Sequence, residues 1–359
     1  MLRILSRPLL CIPFIAAALI PFALAANAQS TPDPAPALRD LAEQNHIHIG
    51  AAVYSDHLLD PQFNQVLSRE FNMLTPENEA KFCWLQPNEG KFDFSKFDQL
   101  VAFAQANNME IHGHNLVWHQ CLPDWVAQGK FTRDQALQVL HDHIFTVLGR
   151  YRGRVAIWDV VNEAMSDSGS GLRDTPWRDM IGDDYVEMAF RFAHEADPDA
   201  LLFYNDYSGE AMTGKANAIY DMVQDFVKRG VPINGVGLQS HFTLGGVNEA
   251  SISQNIKRLG ALGLQVQITE MDDRFDGAPT PAILQEQAND YAQLMQACLE
   301  NSNCTAFITW GVSDNYTWLR GTNLGFFKNP LVEPLLFDDH YQPKPAYQAL
   351  VDVLTKHAG

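Results

Sequence analysis

The stretch Ile157-Trp158-Asp159-Val160-Val161-Asn162-Glu163 is an apolar run that ends in an amide and a carboxylate. A second segment, Val266-Gln267-Ile268-Thr269-Glu270, has the same design. Both read as short strands, because runs rich in β-branched and aromatic residues suit a buried pleated surface. Each finishes on a glutamate. In a barrel of parallel strands the C-terminal strand ends point into the mouth, where catalytic groups collect. Two carboxylates on one rim predict paired acid chemistry, and the rest of the chain is expected to supply a barrel and a groove.

Outward from these two segments the chain alternates between two patterns. Apolar or β-branched runs at residues 46–53, 71–74, 110–118, 155–161, 201–204, 235–240, 264–269 and 306–310 give eight candidate strands. Between them lie residues with helical spacing, such as Phe97, Leu100, Val101 and Ala104, or Leu137, Leu140, Ile144 and Leu148, or Ile219, Met222, Val223, Phe226 and Val227. Thr132 followed by Gln135 forms a capping-box pattern, and Gly230 after Lys228 and Arg229 marks a helix end. Eight strand–helix alternations predict an α/β fold, a single (β/α)8 TIM barrel over residues 37–359. An open doubly wound sheet is the alternative, but no Gly-rich phosphate loop follows the first strand.

Composition narrows the partner. The 359 residues are 46% hydrophobic and 19% charged, enough for a large core, and the formal net charge is -18. That balance argues against nucleic acid, which needs clustered Lys and Arg to displace counterions. Arg3 and Arg7, the apolar run of residues 9–24 and the small residues after it predict a signal peptide over residues 1–28. A membrane anchor is the alternative, weakened by Pro13 and Pro21 within a run shorter than the ~20 apolar residues of a span. Cys11 should leave with the leader, and residues 29–36, rich in proline, read as a short tether. The mature protein is expected to be secreted, to the medium or a periplasm, and to work as a monomer with no membrane contact. Export permits disulfides. Cys298 and Cys304 are expected to pair, stabilising by roughly 2 to 3 kcal/mol. Cys83 and Cys121 are candidates for a second bridge, with two free thiols as the alternative.

Polar residues recur just after the candidate strands: Glu77, Asn78 and Lys81; His112, His114, Asn115 and Trp118; Asn162 and Glu163; Asn205 and Asp206; Gln239 and His241; Glu270 and Asp272; and Trp310 to Trp318. Two glutamates amid amides, imidazoles and indoles suit glycoside hydrolysis. One carboxylic acid protonates the leaving oxygen, the other carboxylate attacks the anomeric carbon, and tryptophan faces stack on sugar rings. A metal-dependent hydrolase is the rival, since His46/His48 and His112/His114 have the i, i+2 spacing of one strand face and His241 and Asp314 could join them. It fails on position, because His46 and His48 open the first strand, away from the barrel mouth. A binding protein that has lost its chemistry is a third reading, opposed by the presence of both carboxylates. No cofactor and no metal are called for.

The runs TPENEAKF, GHNLVWH, WDVVNEA, FYNDY, GVGLQSHF, ITEMD and ITWGVSDNYTW resemble, in order and spacing, those of the family 10 glycoside hydrolases, the endo-1,4-β-xylanases. The resemblance covers the chain from about residue 38 onward. It implies a retaining double displacement on xylan and xylo-oligosaccharides, with Glu163 as general acid/base and Glu270 as nucleophile. It further implies that Asn162 holds the 2-hydroxyl of the attacked sugar, that His241 stands beside the nucleophile and is oriented by Asp272, and that Gln239 is a neighbouring polar contact. Glu77, Asn78, Lys81, His114 and Trp118 match the glycone subsites, and Trp310 and Trp318 match the aromatic residues that close over the sugar at the cleavage point. Retention requires carboxyl groups about 5 to 5.5 Å apart, and that separation is expected here. Glu163 is expected to favour its protonated form beside the charge of Glu270, while Lys81 and His241 help keep Glu270 ionised. Ala80 and Phe82 depart from the commoner Met and Trp, which puts the packing beneath the glycone subsites in question. Activity on cellulose is expected at most as a side reaction.

Overall fold

The computed structural model describes residues 36–320 and 331–358. The expected leader, with Cys11, and all but the last residue of the tether lie outside them. Among the described residues nine strands follow in chain order: β1 (His48–Val53), β2 (Met73–Pro76), β3 (Glu110–Trp118), β4 (Ile157–Asn162), β5 (Leu201–Asp206), β6 (Gly235–Leu238), β7 (His241–Thr243), β8 (Gln265–Arg274) and β9 (Cys304–Thr309). Strands β1 to β6, β8 and β9 pair in parallel with their neighbours, and β6–β8 and β1–β9 pairings close the ring. Helices connect successive strands, so the predicted (β/α)8 barrel is the fold. The short β7 pairs with the end of β8 above the barrel.

The strand ends differ from the sequence reading by a few residues, each for a local reason. His46 adopts a left-handed φ of 58° in the turn that ends helix Leu38–Gln44, so β1 begins two residues later than expected. Phe71 still belongs to the preceding helix turn, its N–H donating to Leu67 O at 3.1 Å, and β2 shifts to Met73–Pro76. Strand β8 runs on to Arg274 because β7 offers its last residues a partner. The caps agree with expectation: Thr132 and Gln135 form the capping box, and Gly230 closes its helix at φ 67°.

The strands are buried on both faces, as a helix-covered parallel barrel demands. At the lower end Met73, Ile157, Phe203, Ala306 and Ile308 plug the interior. Outside, Trp158 meets Phe97 and Tyr151 under the helices. Above the plug the interior turns polar, with His112, His114, Asp159, Asn205, Gln267 and Glu270 all buried. Register shifts fall between His114 and Val117, Asp159 and Val161, and Ile268 and Met271. Such irregularities re-aim side chains, and each lies directly beneath or among the polar strand ends. The result is a row of Trp118, Asn162 and Asn205 across β3, β4 and β5. Gly237 leaves room for that row, since a Cβ there would lie 2.2 Å from Asn205 Oδ1.

Both cysteine pairs are bridged: Cys298–Cys304 as expected, and Cys83–Cys121, which joins the loops after β2 and β3.

Candidate active site

Glu163 and Glu270 are both buried at the barrel mouth, and their partners differ in kind. Three neutral donors point at Glu163: Trp118 Nε1 reaches Oε2 at 2.8 Å, while Gln239 Nε2 and Asn162 Nδ2 reach Oε1 at 3.0 and 3.3 Å. Glu270 instead meets imidazole, with His241 Nε2 3.0 Å from Oε2 and His114 Nδ1 3.9 Å from Oε1. The two carboxylates are joined by a pair of amides. Asn205 Nδ2 donates to Glu270 Oε1 at 2.7 Å and to Asn162 Oδ1 at 2.9 Å, and Asn162 donates in turn to Glu163. Thr269 fixes the Asn205 amide from the other side at 2.7 Å.

The charge on Glu270 follows from these neighbours. Burial pushes its pKa up, but the hydrogen bond from His241 and the charges of His114 and His241 outweigh burial and hold it below the ordinary glutamate value. His241 is the source of that charge. Burial opposes its protonation, yet Asp272 at 3.0 Å from Nδ1 and Glu270 on Nε2 raise its pKa well above the usual imidazole value. Asp272 is held in turn by Trp318 Nε1 at 2.7 Å. Trp310 lies edge-on to both imidazoles, 5.2 Å from His114 and 6.2 Å from His241 between ring centres.

Beneath this layer Asp159 is clasped by two histidines, His114 Nδ1 at 2.8 Å and His112 Nε2 at 2.9 Å, with Gln267 on the far side of His112 at 2.7 Å. Burial pushes the Asp159 carboxyl up, but the two histidines more than reverse it, down to about 2. The i, i+2 histidines of β3 therefore do share a face, and they share a carboxylate on it. Asp314, weighed with them, pairs with Lys344 at 2.8 Å, and His48 stands 3.6 Å from Glu110. Among the described residues no group of three or more His, Cys, Asp and Glu is arranged to hold a metal ion.

Glu77, Asn78 and Lys81 line the wall after β2. Lys81 Nζ donates to Asn78 Oδ1 at 3.1 Å and sits 4.8 Å from the Trp118 ring centre, while Asn78 lies 3.4 Å from Glu77. Burial lowers the Lys81 pKa against the pull of Glu270, Glu77 and Glu163. Burial raises Glu77 to about 7, with Glu79 adding to the effect and Lys81 opposing it. The unusual Phe82 stacks on buried His143 at 3.6 Å, filling the space below that wall.

The expected site residues thus converge, with two changes of emphasis. Trp118, read as a glycone contact, spends its indole N–H on Glu163. His114, read likewise, lies between Asp159 and Glu270. Asn205 and Asp159 were not singled out as site residues. The first carried a signal, a polar residue directly after the candidate strand at 201–204; the second, a charge inside an apolar strand, needed a buried partner to gain meaning.

Glu163 itself has a left-handed φ of 58°, as does Ser240 at 66°. Such a backbone costs about 1–3 kcal/mol and persists where surrounding bonds over-determine it. Here Glu163 N–H donates to Asn205 O at 2.8 Å and Met165 N–H to the Tyr204 hydroxyl at 2.8 Å.

The family model described as glycosyl hydrolase family 10 matches residues 37–353. The chain is 41% identical over 321 residues to endo-1,4-beta-xylanase B of Thermotoga neapolitana, covering 88% of this chain and 91% of that protein. Among solved structures, xylanase 10B from Thermotoga petrophila RKU-1 in complex with xylobiose superposes with a TM-score of 0.86 at 42% identity, covering 90% of this chain and 98% of that one. A mutant of TsXylA, described as an intracellular xylanase from Thermoanaerobacterium saccharolyticum, in complex with xylotetraose, gives 0.81 at 39%, covering 88% and 98%.

Proposed function

The chain belongs to glycosyl hydrolase family 10, and on that premise we propose how this retaining endo-1,4-β-xylanase divides its chemistry, with Glu270 as nucleophile and Glu163 as general acid/base. The observation that carries the assignment is the asymmetry of partners. The carboxylate facing a protonated imidazole is the one suited to attack as an anion, while the one facing neutral donors is free to give and take a proton.

In the first step a Glu270 oxygen bonds to the anomeric carbon as the bond to the leaving oxygen breaks, and that oxygen takes the proton of Glu163. In the second, Glu163 accepts a proton from water, whose oxygen displaces Glu270. Asn162 is suited to hold the 2-hydroxyl, an interaction that strengthens in the transition state. Gln239 and Trp118 aim the Glu163 carboxyl, and the His241–Asp272–Trp318 series aims Glu270. Glu77, Asn78 and Lys81 form the glycone wall, with Trp310 and Trp318 beside the attacked sugar. The complexes of related xylanases with xylobiose and xylotetraose support xylan and xylo-oligosaccharides as the ligands.

Secretion is proposed from the chain's own amino terminus, since TsXylA is described as intracellular, and action as a single chain is proposed with it. The test is product release from β-1,4-xylan by the purified mature protein beside Glu270→Gln and a cellulose control. Short xylo-oligosaccharides formed first as the β-anomer are expected, with a loss of several orders of magnitude in the variant. An inverted first product, or a Glu270→Gln variant of normal rate, overturns the assignment.

A further inference from the structure

Arg173 approaches the backbone of Glu163 from behind the site. Its Nε donates to the Glu163 carbonyl at 3.3 Å. One terminal guanidinium nitrogen donates to Met165 O at 3.3 Å, to Asp167 Oδ1 at 2.7 Å and to the Tyr207 hydroxyl at 2.8 Å. The Arg173 amide N–H donates to Ala164 O at 2.7 Å. One residue therefore gathers the carbonyls of 163, 164 and 165 and the side chain of 167. The far end of the clamp is also held: Tyr207 donates to Asp167, and the buried Lys215 lies 3.5 Å from the Tyr207 ring centre and 2.7 Å from Asp206.

The turn so gathered is the left-handed one from which the Glu163 side chain projects. A single guanidinium with forked donors is well suited to fix several carbonyls at once, because its planar geometry sets their relative direction. We propose that Arg173 is a positioning residue for proton transfer: it holds the Glu163 turn so that the carboxyl faces the glycosidic oxygen. The inference rests on Glu163 being the acid/base. A displaced turn leaves Glu270 and the sugar subsites in place but misdirects the proton, which passes from Glu163 to the leaving oxygen in the first step and from water to Glu163 in the second.

That distinction gives the test a readout that general loosening of the fold would not move. Arg173→Met and Arg173→Lys are assayed on xylotetraose, whose leaving group needs a proton, and on a dinitrophenyl xylobioside, whose leaving group does not. For Arg173→Met, kcat/KM on xylotetraose is expected to fall roughly 10- to 100-fold, and on the dinitrophenyl substrate by less than about 3-fold. On the latter kcat should fall, because its second step still needs the base, and azide, a nucleophile that needs none, should restore it. Arg173→Lys, which keeps the charge but loses the fork, should show the same split at smaller amplitude and serves if the Met variant does not fold. Equal losses on both substrates, or none on either, overturn the inference. Glu163→Ala is run alongside. If it shows the split and the Arg173 variants do not, only the positioning role falls; if it does not, the acid/base assignment falls and the inference with it.

Discussion

His241 keeps its proton because Asp272 and Glu270 face its two nitrogens, and that proton in turn keeps Glu270 charged. The sign of the pH dependence follows. Glu270 must be ionised to attack, so activity is present above its pKa and is lost as pH falls through it. Replacing His241 by Gln removes the cation that outweighs burial, the Glu270 pKa rises, and the acidic limb of the kcat/KM profile should move to higher pH. A loss of roughly 10- to 100-fold at the optimum is expected as well, from a nucleophile no longer aimed. An acidic limb unmoved in His241→Gln would show that His241 only fills space. At this scale residue types were legible in the sequence, since amides, imidazoles and carboxylates at strand ends announce chemistry. Their pairings were legible only where the family resemblance supplied them, as for His241 with Glu270 and Asp272. That Trp118 serves Glu163, and that Asp159 binds both β3 histidines, depends on directions fixed by the register shifts in β3 and β4.

Lys81 lies in the loop after β2 and Trp118 closes β3, and the Cys83–Cys121 bridge ties the loops after these two strands together just beyond them. Cross-linking restricts the unfolded chain more when the closed loop is longer. The separation here is 38 residues, against 6 for Cys298–Cys304. The chain-entropy relation therefore assigns about 4 kcal/mol to the first bridge and about 2 kcal/mol to the second. Denaturant unfolding of the double serine variants should rank them in that order, and the opposite order would mean that the Cys83–Cys121 crosslink is offset in the folded state. The short bridge was readable from sequence because its cysteines flank one helix-to-strand turn. The long one was readable only as a candidate beside the alternative of two free thiols, because it depends on the pairing of β2 with β3 that sets their loops side by side. Strand ends behaved similarly: alternation located all eight barrel strands, while their limits shifted wherever a helix end claimed a residue, as at Phe71, or a neighbour extended pairing, as at β8.

Over the whole sequence the formal net charge is -18, while the backbone of the xylan substrate is neutral. Xylans decorated with glucuronic acid should be repelled at long range, and salt screens such repulsion: the Debye length falls from about 30 Å at 0.01 M to about 8 Å at 0.15 M. The ratio of kcat/KM for glucuronoxylan to that for a neutral arabinoxylan is expected to rise severalfold across that range. A flat ratio would show that the acidic surface lies away from the approach of the polymer. By itself the sequence determined the barrel, the two glutamates and the family of chemistry, because strand alternation, helix spacing and polar strand ends are local patterns that survive in one dimension. Only the tertiary structure decided how two amides join them, how Asp159 holds both β3 histidines and which arginine holds the acid's turn. Contacts such as Gln239 with Asn162, 77 positions apart, and His112 with Gln267, 155 apart, exist only once the strands have closed into a ring in one register.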